Sequence, residues 1–401
     1  MRKQLFISLG ILVFLFLGTL IAIIYAKGYQ IDFKQGRPEI SGTGLLVATS
    51  IPDGAQVLIN DHLTTATNNT INLAPGTYNV AIQKEGYYPW HKTIQVQKEV
   101  VSKATATLFP NAPKLESITD LGINNPAIDP SGTKIAFTVA SQSANSKNGI
   151  YVLSMNANPL LTLQGDSTQI VDDSVDNFST ATLSWSPDGQ SILATITNGN
   201  RSTNYILSAT SFNSSPQDVT ETLSTLSDQW TTQRLEKANA RIASLQANLK
   251  AIVQNNFTIL SWSPDETKIL YTASQSASLP LVINPPLIGA DSTPQQRNIE
   301  KGDIYVYDIK EDKNFLLLAN PAPEAENGPK YTWMPDNRHL LFVHDKRIDI
   351  VEYDGSNDTT MYAGPFFDHF VFPWPSGTKF VMLTDLGNTD TTPNLYTVGL
   401  Q

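Results

Sequence analysis

One short pattern recurs along the later part of the chain and limits what it can fold into. Asp129-Pro-Ser-Gly-Thr-Lys-Ile-Ala-Phe137 returns as Trp185-Ser-Pro-Asp-Gly-Gln-Ser-Ile-Leu193 and as Trp262-Ser-Pro-Asp-Glu-Thr-Lys-Ile-Leu270. It returns again as Trp333-Met-Pro-Asp-Asn-Arg-His-Leu-Leu341 and, shortened, as Trp374-Pro-Ser-Gly-Thr-Lys-Phe380. In each copy Pro presets φ, small polar residues make a tight turn, and an apolar strand follows. A second strand comes later in most copies, as in Gly149-Ile-Tyr-Val-Leu153 and Asp303-Ile-Tyr-Val-Tyr-Asp308. A repeat this small cannot bury both of its faces alone. Four-stranded sheets stacked around an axis bury one another, with the Trp between neighbours, and closure of the ring protects the strand edges. Five copies predict five blades, with room for a degenerate sixth in the longer intervals. Leu115 to Asp120 is placed to pair with the last blade and close the ring.

These copies resemble the TolB-like, or WD40-like, β-propeller repeat over residues 112–401. The resemblance implies a propeller and is nearly silent about function, because a fold hosts many functions. Two insertions interrupt the repeats. From about 222 to 254, Leu235, Ala238, Ile242, Leu245, Leu249 and Ile252 recur at three and four residues, with Leu223, Leu226 and Trp230 before them. That spacing predicts an amphipathic helix. It either packs along the propeller's side or serves as a docking or self-association helix. Ser274 to Lys301, rich in Pro, Ser and Gln, is expected as an exposed loop.

The N-terminus has a different character. Arg2 and Lys3 precede an uncharged run, and Leu5 to Tyr25 is mostly Leu, Ile, Val and Phe. At about 1.5 Å per residue such a run matches the ~30 Å of a bilayer core. It is longer than the apolar region of a cleaved signal peptide, and Ile24-Tyr25-Ala26 is a poor cleavage site. The expectation is an uncleaved signal anchor over residues 1–27, contacting lipid through residues 5–25. The short basic tail would stay cytoplasmic, and the chain after about residue 27 would lie outside.

Residues 28–43 read as a linker. A small β module follows at 44–110, with Pro-Gly turns and alternating strands such as Asn79-Val-Ala-Ile-Gln83 and Lys92-Thr-Ile-Gln-Val96. Ser50-Ile-Pro-Asp-Gly-Ala-Gln-Val-Leu-Ile-Asn60, Leu73-Ala-Pro-Gly-Thr-Tyr78 and Lys84-Glu-Gly-Tyr-Tyr-Pro-Trp90 resemble the PEGA domain, a small β-sandwich of surface proteins. The resemblance implies a spacer or binding module with no chemistry of its own. Tyr87, Tyr88 and Trp90 are an aromatic cluster that either binds a partner or caps the sandwich core.

Chemistry is sparse. With no cysteine, disulfides and thiolate metal sites are excluded. The formal charge of -10, without a basic stripe, speaks against nucleic acid. No nucleophile turn and no Gly-rich phosphate loop is present. His62, His91, His339, His344 and His369 show no metal-ligand spacing, and His344-Asp345 and Asp368-His369 are merely adjacent pairs. Asp172, Asp173 and Asp176, and Asp385 and Asp390, lack the spacing of a calcium loop.

The sequence therefore predicts a mainly β protein: a transmembrane helix, a PEGA-like sandwich, then a five- or six-bladed propeller over 111–401 with one long helical insertion. The expected role is non-catalytic binding or scaffolding at the cell envelope, with a protein or envelope polymer as partner and no cofactor, metal or catalytic residue. Candidate partner-binding residues are Tyr87, Tyr88, Trp90, Trp230, Leu235, Ile242, Leu245 and Leu249. The alternatives are a receptor for a glycan, peptide or small molecule in the propeller channel and, third, an enzyme acting there.

Overall fold

The computed structural model describes residues 2–26, 30–34, 37–140, 144, 147–155, 167–321, 330–367 and 369–401. The chain divides into two compact units. One holds 1–110 and 283–294, and the other holds 111–282 and 295–401.

In the first unit, Arg2–Ala26 is one helix, α1. Among the described residues no helix is long and apolar enough to cross a membrane. β1 (Gln30–Lys34) pairs with β2 (Arg37–Ser41), so the stretch expected as a linker contains a hairpin.

Seven strands then build two sheets: β3 (Gly44–Ile51), β4 (Gln56–Ile59), β5 (His62–Ala66), β6 (Asn69–Leu73), β7 (Gly76–Gln83), β8 (Trp90–Val96) and β9 (Val101–Thr107). The orders are β6-β3-β9, with β3 and β9 parallel, and β5-β4-β7-β8. Period-two alternation sends Leu46 and Ala48 of β3, Val57 of β4, Ile82 of β7 and Trp90 and Ile94 of β8 into one shared core.

Residues 283–294 join this unit from far along the chain. Asp291 accepts a 2.8 Å ion pair from Lys92 on edge strand β8, and Ser292 Oγ accepts the Gln95 N–H at 3.0 Å. Gly289, at φ +77, lies where a Cβ would crowd Val100 and Val101 at edge strand β9. The segment thus covers backbone that an edge strand would otherwise leave unpaired. The stretch Ser274 to Lys301, read as an exposed loop, is exposed over 284–289, but Asp291 and Ser292 dock it on β8. Its stems also pair, through β21 (Ala277–Ser278) and β22 (Asn298–Ile299).

The second unit is a succession of four-stranded antiparallel sheets. Sheet one holds β11 (Asn124–Ile128), β12 (Lys134–Val139), β13 (Gly149–Ser154) and β14 (Ser167–Asp172). Sheet two holds β15 (Thr182–Trp185), β16 (Ser191–Asn198), β17 (Arg201–Ser208) and β18 (Gln217–Asp218). Sheet three holds β19 (Phe257–Trp262), β20 (Lys268–Ala273), β23 (Ile304–Asp308) and β24 (Lys313–Leu318). Sheet four holds β25 (Lys330–Trp333), β26 (His339–His344), β27 (Arg347–Glu352) and β28 (Thr359–Ala363). Sheet five takes β29 (Val371–Pro373), β30 (Lys379–Thr384) and β31 (Asn394–Gly399) from the end of the unit. Its fourth strand, β10 (Leu115–Ser117), comes from the unit's beginning.

The sheets pack through shared cores. Ala136, Ile150 and Ile170 of sheet one meet Trp185, Ile192 and Leu207 of sheet two. Ile135 and Phe137, from the other face of β12, meet Trp374, Val381 and Leu395 of sheet five. Sheets three and four share Leu270, Phe315, Trp333 and Leu340. Sequential sheets packed this way, with the last one completed by the unit's first strand, follow the propeller plan.

The helical insertion is two helices, α2 (Leu223–Ala243) and α3 (Ala247–Asn256). Gln246 leaves the helical backbone with ψ 146. The break turns Leu249, Ile252 and Val253 into the core of sheet three, where a straight continuation of α2 would not aim them.

Candidate functional site

The repeat turns are structural. Asp129 Oδ1 accepts the backbone N–H of Thr133 at 2.7 Å and of Lys134 at 2.6 Å. Ser186 Oγ donates to Asp188 at 2.6 Å, and Ser263 Oγ to Asp265 at 2.8 Å. The Ser186 hydrogen bond holds the Asp188 carboxyl below its ordinary value. Burial raises Asp265, but bonds from Ser263 and Thr267 outweigh it and the net shift is downward. In the fourth copy burial opposes and His339 prevails, so Asp336, 2.5 Å from His339 Nδ1, falls to about 2.

The candidate binding residues are mostly committed to the fold. Trp90 is 2% exposed inside the sandwich, and Tyr87 packs on the same core. Trp230 is buried, Leu249 lies in the core of sheet three, and Leu245 packs against that core. Ile242 is half-buried. Tyr88 and Leu235, 57% exposed, are the two that face solvent. The heptad-like spacing of the insertion therefore reports packing at both ends of α2, with the middle, 231–240, exposed.

Among the described residues no three His, Cys, Asp or Glu side chains gather to hold a metal. His62 and His91 are exposed on the sandwich. His344 Nε2 lies 2.6 Å from the buried Asp349, and its Nδ1 lies 3.2 Å from Asp345. Burial raises the nearby Asp358 carboxyl, and the Asp349 charge adds to the rise. Asp172 and Asp173 accept turn hydrogen bonds from Ser174 and Ser179, and Asp176 accepts one from Tyr205. Asp368 lies outside the described residues.

A cleft of about 670 Å³ opens between the loops of sheets four and five, a site that sequence reasoning missed. Pro365, Phe366 and Phe367, from the β28–β29 connection, supply apolar wall. Lys346 from the β26–β27 turn, His369, and Asp385 and Thr389 from the β30–β31 connection add polar groups. Thr384, fully buried, joins two of these loops: its hydroxyl donates to Pro365 O at 2.6 Å and accepts the Leu386 N–H at 2.9 Å. Phe367 N–H donates to Leu383 O at 2.9 Å. Bonds of this kind fix the cleft before any ligand arrives. Its size and mixed lining are those of a small-molecule or peptide site.

No curated protein matches the chain in sequence. Among solved structures, it is similar to TolB from Acinetobacter baumannii at 16% identity and TM-score 0.24, over 81% of this chain and 60% of that one. TolB from Agrobacterium tumefaciens matches at 17% identity and TM-score 0.22, over 70% of this chain and 80% of that one. An acylaminoacyl peptidase matches at 10% identity and TM-score 0.21, over 70% of this chain and 39% of that one. At these values the likeness says nothing of activity. The family model of the PEGA domain matches residues 43–111, and the chain carries a PEGA domain there, ahead of the five-sheet unit.

Proposed function

We propose that this protein is a non-catalytic binding or scaffold protein of the cell envelope. In this reading α1 holds it in the membrane and the chain after about residue 27 lies outside. The PEGA domain is an envelope-contact module, and the second unit is a five-bladed propeller. One observation carries the non-catalytic part. The first strand of each sheet, which lines the channel of a propeller, reads Asn-Asn-Pro-Ala-Ile, Thr-Leu-Ser-Trp, Phe-Thr-Ile-Leu-Ser-Trp, Lys-Tyr-Thr-Trp and Val-Phe-Pro. Lys330 is the sole charged residue in these strands, so they offer no paired acid and base. The uncharged run in α1 supports the membrane part.

A second reading, ligand binding, is favoured by the cleft at sheets four and five rather than by the channel. Fractionation tests the placement: the full chain should sediment with membranes, resist alkaline carbonate and be cut by protease added outside intact cells. Recovery in the soluble fraction, or protection from external protease, overturns it.

A further inference from the structure

We infer that the end of the PEGA sandwich where β3 begins lies on a lipid surface, with Leu287 and Ile288 entering the interface of the bilayer. The inference rests on the reading that α1 holds the chain in a membrane, and it adds a second contact to that one.

Exposure is the first observation. Leu287 and Ile288 stand together near the tip of the segment that docks on β8, and Ile288 leaves 75% of its surface in solvent. Pro285 and Pro286 precede them and Gly289 follows, so the tip carries no charge, and the prolines restrict its backbone. A Cβ on Gly289 would lie 3.1 Å from a methyl of Val100 and 3.4 Å from the Val101 carbonyl oxygen, which puts the tip beside the start of β9. Val101 is 46% exposed and sits level with Leu45, also exposed, in the parallel pairing of β9 with β3. Three separate stretches of chain thus bring four exposed apolar side chains to one end of the sandwich. Single apolar residues on a surface are ordinary, but a grouped patch marks a contact.

Placement is the second. α1 ends at Ala26 and β3 begins at Gly44. Between them Gln30 faces Ser41 across the β1–β2 hairpin, so the connection returns on itself. That return keeps the start of β3 within about 30 Å of the end of α1, however the remaining residues run. The apolar patch is at the end of the sandwich that the tether reaches.

Charge is the third. At this end the outward row of β3 and β9 is Leu45, Val47, Val101 and Lys103, without an acidic residue, in a chain of net charge -10. A surface of anionic lipid attracts such a face and repels the rest of the chain.

The chain has no cysteine, so a single one can carry a fluorophore and report its own depth. The full chain is reconstituted in vesicles of phosphatidylcholine and phosphatidylglycerol, with the dye NBD at Ile288→Cys, at Phe14→Cys in α1 or at Leu63→Cys on β5. All three positions are exposed. Lipid carrying a doxyl quencher should lower emission from position 288 about twofold, as for a side chain about 5–10 Å into the interface, and leave position 63 unchanged. Adding Leu287→Asp to the Ile288→Cys protein should abolish that quenching. If position 14 is quenched and position 288 is not, the anchor stands and this inference fails. If neither is quenched, both fail. Equal quenching at 63 and 288 also overturns the inference, because the contact would not belong to this end of the sandwich. So does shielding of position 288 from aqueous iodide without quenching by lipid, which would mean that protein covers the tip.

Discussion

Trp185 of sheet two donates its indole N–H to the carbonyl of Ala127 in sheet one, at 2.9 Å. The ring is buried in the core that the two sheets share. At Trp185 the Trp thus joins one repeat to the one before it by a directed bond as well as by area. Trp185→Phe should cost about 1–2 kcal/mol, because Ala127 loses its partner. Trp185→Ala should cost about 3–5 kcal/mol, because a cavity opens between the sheets. Urea unfolding of the three proteins checks the order.

Asp291 ties the late segment to the PEGA unit through Lys92. Burial raises its carboxyl, yet the Lys92 charge and the bonds from Lys92 and Thr293 hold it below the ordinary value. Its folded pKa is therefore depressed. The stability it contributes is full above the unfolded value of about 3.9 and is lost as pH falls through the folded value. Asp291→Asn should flatten the acid limb of the PEGA unit's stability curve. Hydrogen exchange of β8 amides between pH 5 and pH 3 is the readout.

Asp336 obeys the same sign. Lowered to about 2 beside His339, it supports sheet four above about pH 4 and ceases to do so as pH approaches 2. Its side chain is 37% exposed, so screening limits the effect to about 1 kcal/mol. Asp336→Asn should lower stability by that amount at pH 6 and by nothing measurable near pH 2. Thermal melts at the two pH values decide it.

Leu386 holds a left-handed backbone that asparagine or glycine would accept at lower cost. Leu386→Gly should raise stability by about 1 kcal/mol. Thermal melts of the two proteins check it.

Thr384→Val removes the hydroxyl that bonds Pro365 O and the Leu386 N–H while keeping the side chain's shape. Both bonds are lost, but Leu386 is exposed and Pro365 O keeps the Tyr362 hydroxyl at 3.3 Å, so the cost should be about 0.5–1.5 kcal/mol. Chemical denaturation measures the loss. A variant as stable as the parent would mean the two loops are fixed by other contacts.

The sequence was most legible where local chemistry repeats. The Pro-Asp turns cap themselves, so their residues announce a turn at each copy, and Asp188 and Asp265 do in the structure what their neighbours in sequence imply. The pairing of Leu115–Ser117 with the last sheet followed from the need to cover an edge. Two kinds of feature were hidden. Residues 283–294 bind through Asp291 and Ser292 to strands almost two hundred positions earlier, and no periodicity encodes such a partner. The cleft draws its lining from three separate connections, none of which carries a motif. The heptad-like spacing in the helical insertion misled for a related reason. Apolar residues at three and four mark a helix face, but not whether one rod or two supplies it, and Gln246 decides that by leaving the helix.

The outer strand of sheet five waits longest for its mate: Thr397 meets Glu116 across 281 positions of sequence. A ribosome releases Glu116 long before Thr397 exists, and until β31 emerges the last sheet is only β29 and β30, with β10 unpaired. Such a distant pairing slows folding, since loop closure precedes its reward. It also makes completion of this sheet a checkpoint on the chain. A nascent chain stopped anywhere before β31 leaves β10 with an open edge, which a protease or chaperone can recognise as unfinished.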